Sequence, residues 1–218
     1  MQTRETMTEI IKINRASPEK EAILRAVEFL KKGEVVAYPT ETFYGLGVDI
    51  YNEKAIKRLF RLKQRDWGLP ISILVSDMEM LASVVTEVSD QVKGLIEAFW
   101  PGPLTILFPA APSVSKSLTT NTGKIGIRIS SDPIATKIVS EFGRPITTTS
   151  ANLSGFPPSL NIKHVLNYFK DRLPCAVDGG ECEPSKGSTV VDVVGDTMAI
   201  IRDGAIPADE VISRFQGI

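Results

Sequence analysis

The sequence predicts an α/β protein, a single domain over residues 1–218 with a mixed sheet and flanking helices. Three observations predict it. Helical and strand-like stretches alternate along the chain, with neither a repeat nor a low-complexity linker between them. Several strands follow one another with no intervening helix (LTILFPA to IGIRIS, then PCAVDG to STVVDVV to TMAIIRD), so antiparallel and parallel pairs must coexist. The chain has 218 residues, 43% hydrophobic and 23% charged, which is enough to bury a sizeable core.

Taken in order, Ser17 and Pro18 form a cap and first-turn signal, Ile23, Val27 and Leu30 share one helical face, and Gly33 ends that helix. The run EVVAYPT then reads as a strand. Asn52 caps a helix in NEKAIKRLFRLK whose apolar stripe is Ile56, Leu59 and Phe60, and PISILVSD is the next strand. Further helices are expected in VSDQVKGLIEAFW, in DPIATKIVSEFG with Asp132 as cap and Pro133 at the first position, in NIKHVLNYFKDRL, and in the closing PADEVISRF. Strands are expected in LTILFPA, IGIRIS, RPITTTSA, PCAVDG, STVVDVV and TMAIIRD.

Composition removes several function classes. With 25 basic and 26 acidic residues the chain is not a globally basic nucleic-acid binder, although a local basic cleft is allowed. The opening MQTRETMTEI holds no signal-like apolar run, and no window approaches the roughly 18 apolar residues of a membrane span, so a cytoplasmic protein with no membrane partner is expected. Cys175 and Cys182 are too widely spaced for a CxxC pair and read as ordinary thiols. His164, the single histidine, falls in a helix-like stretch in a structural role, so zinc chemistry and histidine-based triads lack parts.

The polar residues concentrate in a few places. In ITTTSANLSG, strand alternation puts Thr148, Ser150 and Asn152 on one face and Thr147, Thr149 and Ala151 on the other. The same counting sends Ile125, Ile127 and Ile129 to a core and Arg128 to the opposite face, and pairs Arg202 with Ile200 against Ala199 and Ile201. Lys63 continues the stripe of its helix, and Arg65 shares its side if the chain extends there, so two cations can converge. The plainer alternative is that Lys63 snorkels at the negative helix end while Arg65 is solvated. PTETFYGLGVD carries hydroxyls at Thr40, Thr42 and Tyr44, with Gly45 and Gly47 permitting close backbone approach. It matches neither a P-loop nor a dinucleotide fingerprint, and alone it reads as a glycine turn. GSTVVDV places Ser188 and Thr189 at a strand entrance, where a turn hydrogen bond is the simpler account.

Together PTETFYGLG, the KxR of Lys63 and Arg65, WPGPLT, IGIRIS with the following DP, the SxN of SANLSG, GSTVVD and IIRDGAI resemble, in order and spacing, the YrdC-like family, the threonylcarbamoyl-AMP synthases. The resemblance runs from about Gly33 to Ile206 and implies the short, single-domain form of the family, with a twisted sheet and a concave anion-binding cleft. It implies a nucleotidyltransferase that makes threonylcarbamoyl-adenylate and pyrophosphate from L-threonine, bicarbonate or CO2, and ATP. A partner transferase then passes the threonylcarbamoyl group to tRNA, and contact with tRNA or double-stranded RNA is possible.

Carried over by motif, Lys63, Arg65, Ser150 and Asn152 form the catalytic set. Thr42, Arg128, Thr148 and Ser188 hold threonine, Arg128 through a two-pronged bond to its carboxylate. Arg65, Ser150, Arg202 and Lys124 face the nucleotide. Magnesium is implied with ATP as substrate, yet no carboxylate stands out as its ligand, and ATP itself supplies most of the coordination. Many relatives read KxRP followed by Asn-Pro-Leu and a histidine that touches threonine, whereas this chain has Asp66, Leu69 and, at the histidine position, Leu74. The alternatives are a non-catalytic YciO-like RNA-binding paralogue and a carbamoyl-adenylate-forming relative.

Overall fold

Most helix starts lie where the sequence supplies a capping side chain. The computed structural model describes residues 7–119 and 123–217. After a short strand β1 (Glu9–Lys12), helix α1 (Lys20–Lys31) begins past the expected Ser17–Pro18 signal, because Glu19 keeps an extended backbone and its carboxylate accepts the amide of Asn14 instead. Strands β2 (Val36–Tyr38) and β3 (Gly45–Gly47) precede α2 (Glu53–Lys63), where Asn52 accepts the amide of Ala55 as the sequence predicts. Then come β4 (Ile73–Leu74), α3 (Met78–Ala82), α4 (Asp90–Phe99), β5 (Leu104–Pro109), β6 (Lys124–Arg128) and α5 (Pro133–Phe142). Asp132 caps α5 by accepting the amides of Ile134 and Ala135. The chain continues through β7 (Ile146–Thr147), β8 (Thr149–Ser150), α6 (Ile162–Phe169), β9 (Cys175–Asp178), β10 (Thr189–Val194), β11 (Thr197–Arg202) and α7 (Ala208–Gln216).

The mixed pairing is distributed over two sheets, with strand orders β1-β9-β2-β3-β8 and β11-β10-β5-β6-β4-β7. In the first, β1 and β2 run parallel to β9 while β3 is antiparallel to β2 and β8. In the second, β10 is parallel to β5 and antiparallel to β11, and β4 is parallel to β6 and antiparallel to β7.

The first sheet is buried on both faces, which explains the unbroken apolar reading of VVAY. Val36 and Tyr38 pack with Ile23, Val27 and Leu30 of α1 and with Ile134 and Ile138 of α5, while Ala37 between them joins the second core. That second core unites Leu46 of the first sheet with Ile73, Ile106, Ile125 and Ile127 of the second, and with Ile56, Leu59 and Phe60 of α2. Cys175 and Cys182 are buried free thiols, and no described helix is long and apolar enough to cross a membrane.

Strand β1 and helix α3 are not foreseen by the sequence reading, and two further stretches differ from it where the site forms. RPITTTSA is not one strand: Ile146 and Thr147 pair with β4 in one sheet, Thr149 and Ser150 with β3 in the other, and Thr148 between them donates its amide to Ser72 O at 2.7 Å. GLG is a strand rather than a turn. It needs glycine because the buried ring of Tyr38 lies across it: a Cβ on Gly47 would stand 2.8 Å from Tyr38 Cε1 and 3.1 Å from Ile146 Cδ1. Tyr38 is fixed there by donating its hydroxyl to Thr147 O at 2.9 Å. Gly47→Ala is therefore expected to lower stability by about 1–3 kcal/mol through overpacking, read as a shifted urea midpoint. An unchanged midpoint would mean that Tyr38 is free to move aside.

Candidate functional site

The transfer of the chain between sheets at Thr148 opens a cavity of about 220 Å³ between them. One wall comes from the first sheet and its loops (Thr40, Thr42, Tyr44, Thr149, Ser150), the other from the second (Ser72, Thr105, Arg128, Ser188, Arg202). Arg65 reaches its rim from the segment after α2, and among the described residues no carboxylate lines it.

Thr40 shapes the first loop. Its hydroxyl donates to Phe43 O at 2.7 Å and accepts the amides of Thr42 and Phe43, closing a tight turn that brings Thr42 Oγ1 to 3.0 Å from its own. On the opposite wall Ser188 and Thr105 share a hydrogen bond of 2.8 Å, and Arg202 donates to Ser188 O and Ser188 Oγ at 2.7 and 2.9 Å. Gly204 makes this junction possible, since a Cβ there would lie 2.3 Å from Thr189 N.

Arg128 projects from β6 opposite the three isoleucines, as alternation predicts, and is only 4% exposed. Its Nη1 pairs with Glu41 Oε1, and Ser130 donates to Glu41 Oε2. Burial pulls its pKa down to about 10, with the charge of Arg202 acting in the same direction.

α2 ends where Gln64 takes a left-handed conformation, and Arg65 N–H bonds back to Phe60 O. The two cations then diverge in role. Arg65 donates from Nη2 to Pro70 O at 2.8 Å and lines the cavity. Lys63, 1% exposed, turns inward: its Nζ donates to the carbonyls of Ser150 and, at 2.9 Å, Asn152. Burial, reinforced by Arg65, lowers its pKa to about 7.

Thr42, Arg65, Arg128, Thr148, Ser150, Ser188 and Arg202 are thus brought together on the cavity wall. Three expected residues are not. Lys63 and Asn152 lie behind the wall, Asn152 donating from Nδ2 to Leu153 O and Phe156 O. Lys124 forms an ion pair with Asp192 at 2.6 Å and is not among the residues that line the cavity.

Thr149 does line the cavity, against the alternation that assigned it to the other face, because β7 and β8 are separate strands. Thr105, Ser72 and Lys186 were missed; a buried hydroxyl in the apolar run LTILFP was the available signal for Thr105. Leu74 packs in the core beside Ile146 and Ile138, away from the wall.

Among the described residues, no cluster of three His, Cys, Asp or Glu side chains could hold a metal ion. The described residues therefore offer no all-protein cage for a divalent cation.

Fold and site define a two-sheet α/β protein whose shared cavity is lined by hydroxyls and guanidinium groups. The Sua5/YciO/YrdC family profile, described as Telomere recombination, matches residues 28–204, and the chain belongs to that family. A threonylcarbamoyl-AMP synthase of Pyrococcus abyssi (strain GE5 / Orsay) is 35% identical over 205 residues, spanning 94% of this chain but only 60% of the relative. A putative threonylcarbamoyl-AMP synthase of Mycobacterium tuberculosis (strain ATCC 25618 / H37Rv) is 32% identical over 198 residues, covering 90% of this chain and 91% of the relative. The crystal structure of P. abyssi Sua5 complexed with L-threonine matches with a TM-score of 0.91 at 34% identity, over 96% of this chain and 61% of that one.

The buried lysine gives a pH signature. Lys63 sits at about 7 in the folded protein against an ordinary value of 10.5. Between those values the unfolded chain binds more protons, so this group makes stability rise with pH across that window. The Tm of the wild type relative to Lys63→Met is expected to increase from pH 7 to pH 10. A constant difference would place the lysine charge in water.

Proposed function

We propose that this protein is a threonylcarbamoyl-AMP synthase, a nucleotidyltransferase that uses L-threonine, bicarbonate or CO2, and ATP. The observation that carries the reading is the convergence of Arg65, Arg128 and Arg202 with Thr42, Thr148, Ser150 and Ser188 on one cavity wall, at the motif positions of the family. The P. abyssi relative complexed with L-threonine supports threonine as the amino acid.

The chemistry needs anions held together out of water, which a wall of fixed donors supplies by positioning and charge stabilisation. Arg128 binds the threonine carboxylate, and the hydroxyls of Thr42, Thr148 and Ser188 surround the rest of the amino acid. Arg65, Arg202 and Ser150 meet the phosphates of ATP. The threonine nitrogen adds to CO2, losing a proton and forming a carbamate. A carbamate oxygen then attacks the α-phosphorus as the bond to pyrophosphate breaks. Lys63 acts through the backbone, holding the Ser150 and Asn152 carbonyls so that Ser150 presents its side chain to the cavity.

The product, a mixed anhydride of carbamate and phosphate, suits transfer to the adenosine beside a tRNA anticodon by a separate transferase, in the cytoplasm where ATP and tRNA meet. Contact of this chain with tRNA or double-stranded RNA belongs to the same proposal.

Pyrophosphate release from ATP is expected to require threonine and bicarbonate together, with serine as the control amino acid. Release independent of threonine, or none from folded protein that binds ATP, would overturn the assignment. Arg65→Ala is expected to lower kcat/KM for ATP by about ten- to a hundredfold, the loss of one or two charge-assisted hydrogen bonds, with little change in Tm.

A further inference from the structure

We propose that Glu41 and Arg128 form an internal ion pair that opens to take both charged ends of an amino acid, Arg128 receiving the carboxylate and Glu41 the ammonium. The inference rests on the proposed function and concerns how its amino-acid subsite tells substrate from similar acids.

Glu41 lies between Thr40 and Thr42, both on the cavity wall, and its side chain is 15% exposed beside a guanidinium that is 5% exposed. Apart from each other, neither Glu41 Oε1 nor Arg128 Nη1 has a hydrogen-bond partner among the described residues. Ser130 holds the second oxygen, Oε2, so the carboxylate remains anchored when Oε1 is released. The neighbouring carboxylate, Asp132, is otherwise engaged: it caps α5 and pairs with Arg15 at 2.6 Å.

A ligand carboxylate arriving at Arg128 would place two carboxylates on one buried guanidinium. That repulsion is strong in a shielded site, and an unpaired buried charge is costly. A zwitterion removes it, because its ammonium is one carbon away from its carboxylate and can replace the arginine as the partner of Glu41. A hydroxy acid cannot do so. The pair thereby admits α-amino acids and rejects carboxylates without an ammonium, a selection that Arg128 alone would not make.

Isothermal titration with L-threonine and with 3-hydroxybutanoate, which keeps the carboxylate and hydroxyl and lacks the ammonium, tests this directly. Wild-type protein is expected to bind threonine at least about tenfold more tightly than 3-hydroxybutanoate, the worth of one charged hydrogen bond. In Glu41→Gln, threonine is expected to weaken by about ten- to a hundredfold while 3-hydroxybutanoate binds as well as before or better, so the preference collapses.

If Glu41 only orients Arg128, the variant weakens both ligands by the same factor, and the inference fails. Equal affinity of the wild type for both ligands also overturns it, with no variant needed. Wild-type protein that binds neither ligand overturns the proposed function and this inference with it, whereas threonine binding that is insensitive to Glu41→Gln overturns the inference alone.

Discussion

The segment from Ile146 to Asn152 must serve two sheets, and the site is a consequence of how its backbone is satisfied. Ile146 and Thr147 complete one ladder, Thr149 and Ser150 the other, and the carbonyls of Ser150 and Asn152 point where Lys63 can reach them. Buried carbonyls without partners are costly, and an ammonium on the rigid end of α2 answers two at once. Its own burial is the cost, visible as a pKa drawn down to about 7. Ser154 N–H bonding to Lys63 O at 3.0 Å closes the same junction from the other side.

Around that junction the charge is lopsided. Among the described residues, three arginines face the cavity and no carboxylate lines it, while Glu41 neutralises one of the three from just behind the surface. Each arginine is lowered from its ordinary pKa chiefly by burial. Such a cavity is unfavourable when empty of counter-charge and becomes favourable when anions enter. The hydroxyls add direction: Thr40, Thr105 and Ser188 are locked by one another or by backbone groups before any ligand arrives, so little reorganisation is needed on binding.

Family membership fits this arrangement without making every motif residue a ligand. The lysine of KxR and the asparagine of SxN are held by main-chain bonds behind the wall, whereas Arg65 and Ser150 are presented to the cavity. Alternate motif residues thus divide between supporting the wall and forming it.

By itself the sequence determined the α/β class, the mixed pairing, the Asn52 and Asp132 caps, the inward isoleucines with outward Arg128, and the family motifs. These depend on local spacing, capping chemistry and side-chain alternation, which operate over a few residues. Tertiary structure decided the rest. RPITTTSA reads as one strand because nothing local marks the change of sheet at Thr148, yet that change puts Thr149 on the wall and Asn152 behind it. GLG looks like a turn until Tyr38 from β2 lies across it. Glu41 is an ordinary loop glutamate in sequence, and only the approach of β6, distant along the chain, gives it Arg128 as a partner. Lys124 likewise gains Asp192 as a partner only because β10 comes near it in the fold. Apart from Tyr38 and the GLG strand, which share one hairpin, the deciding contacts join residues far apart in sequence, so no short window of the chain contains both partners.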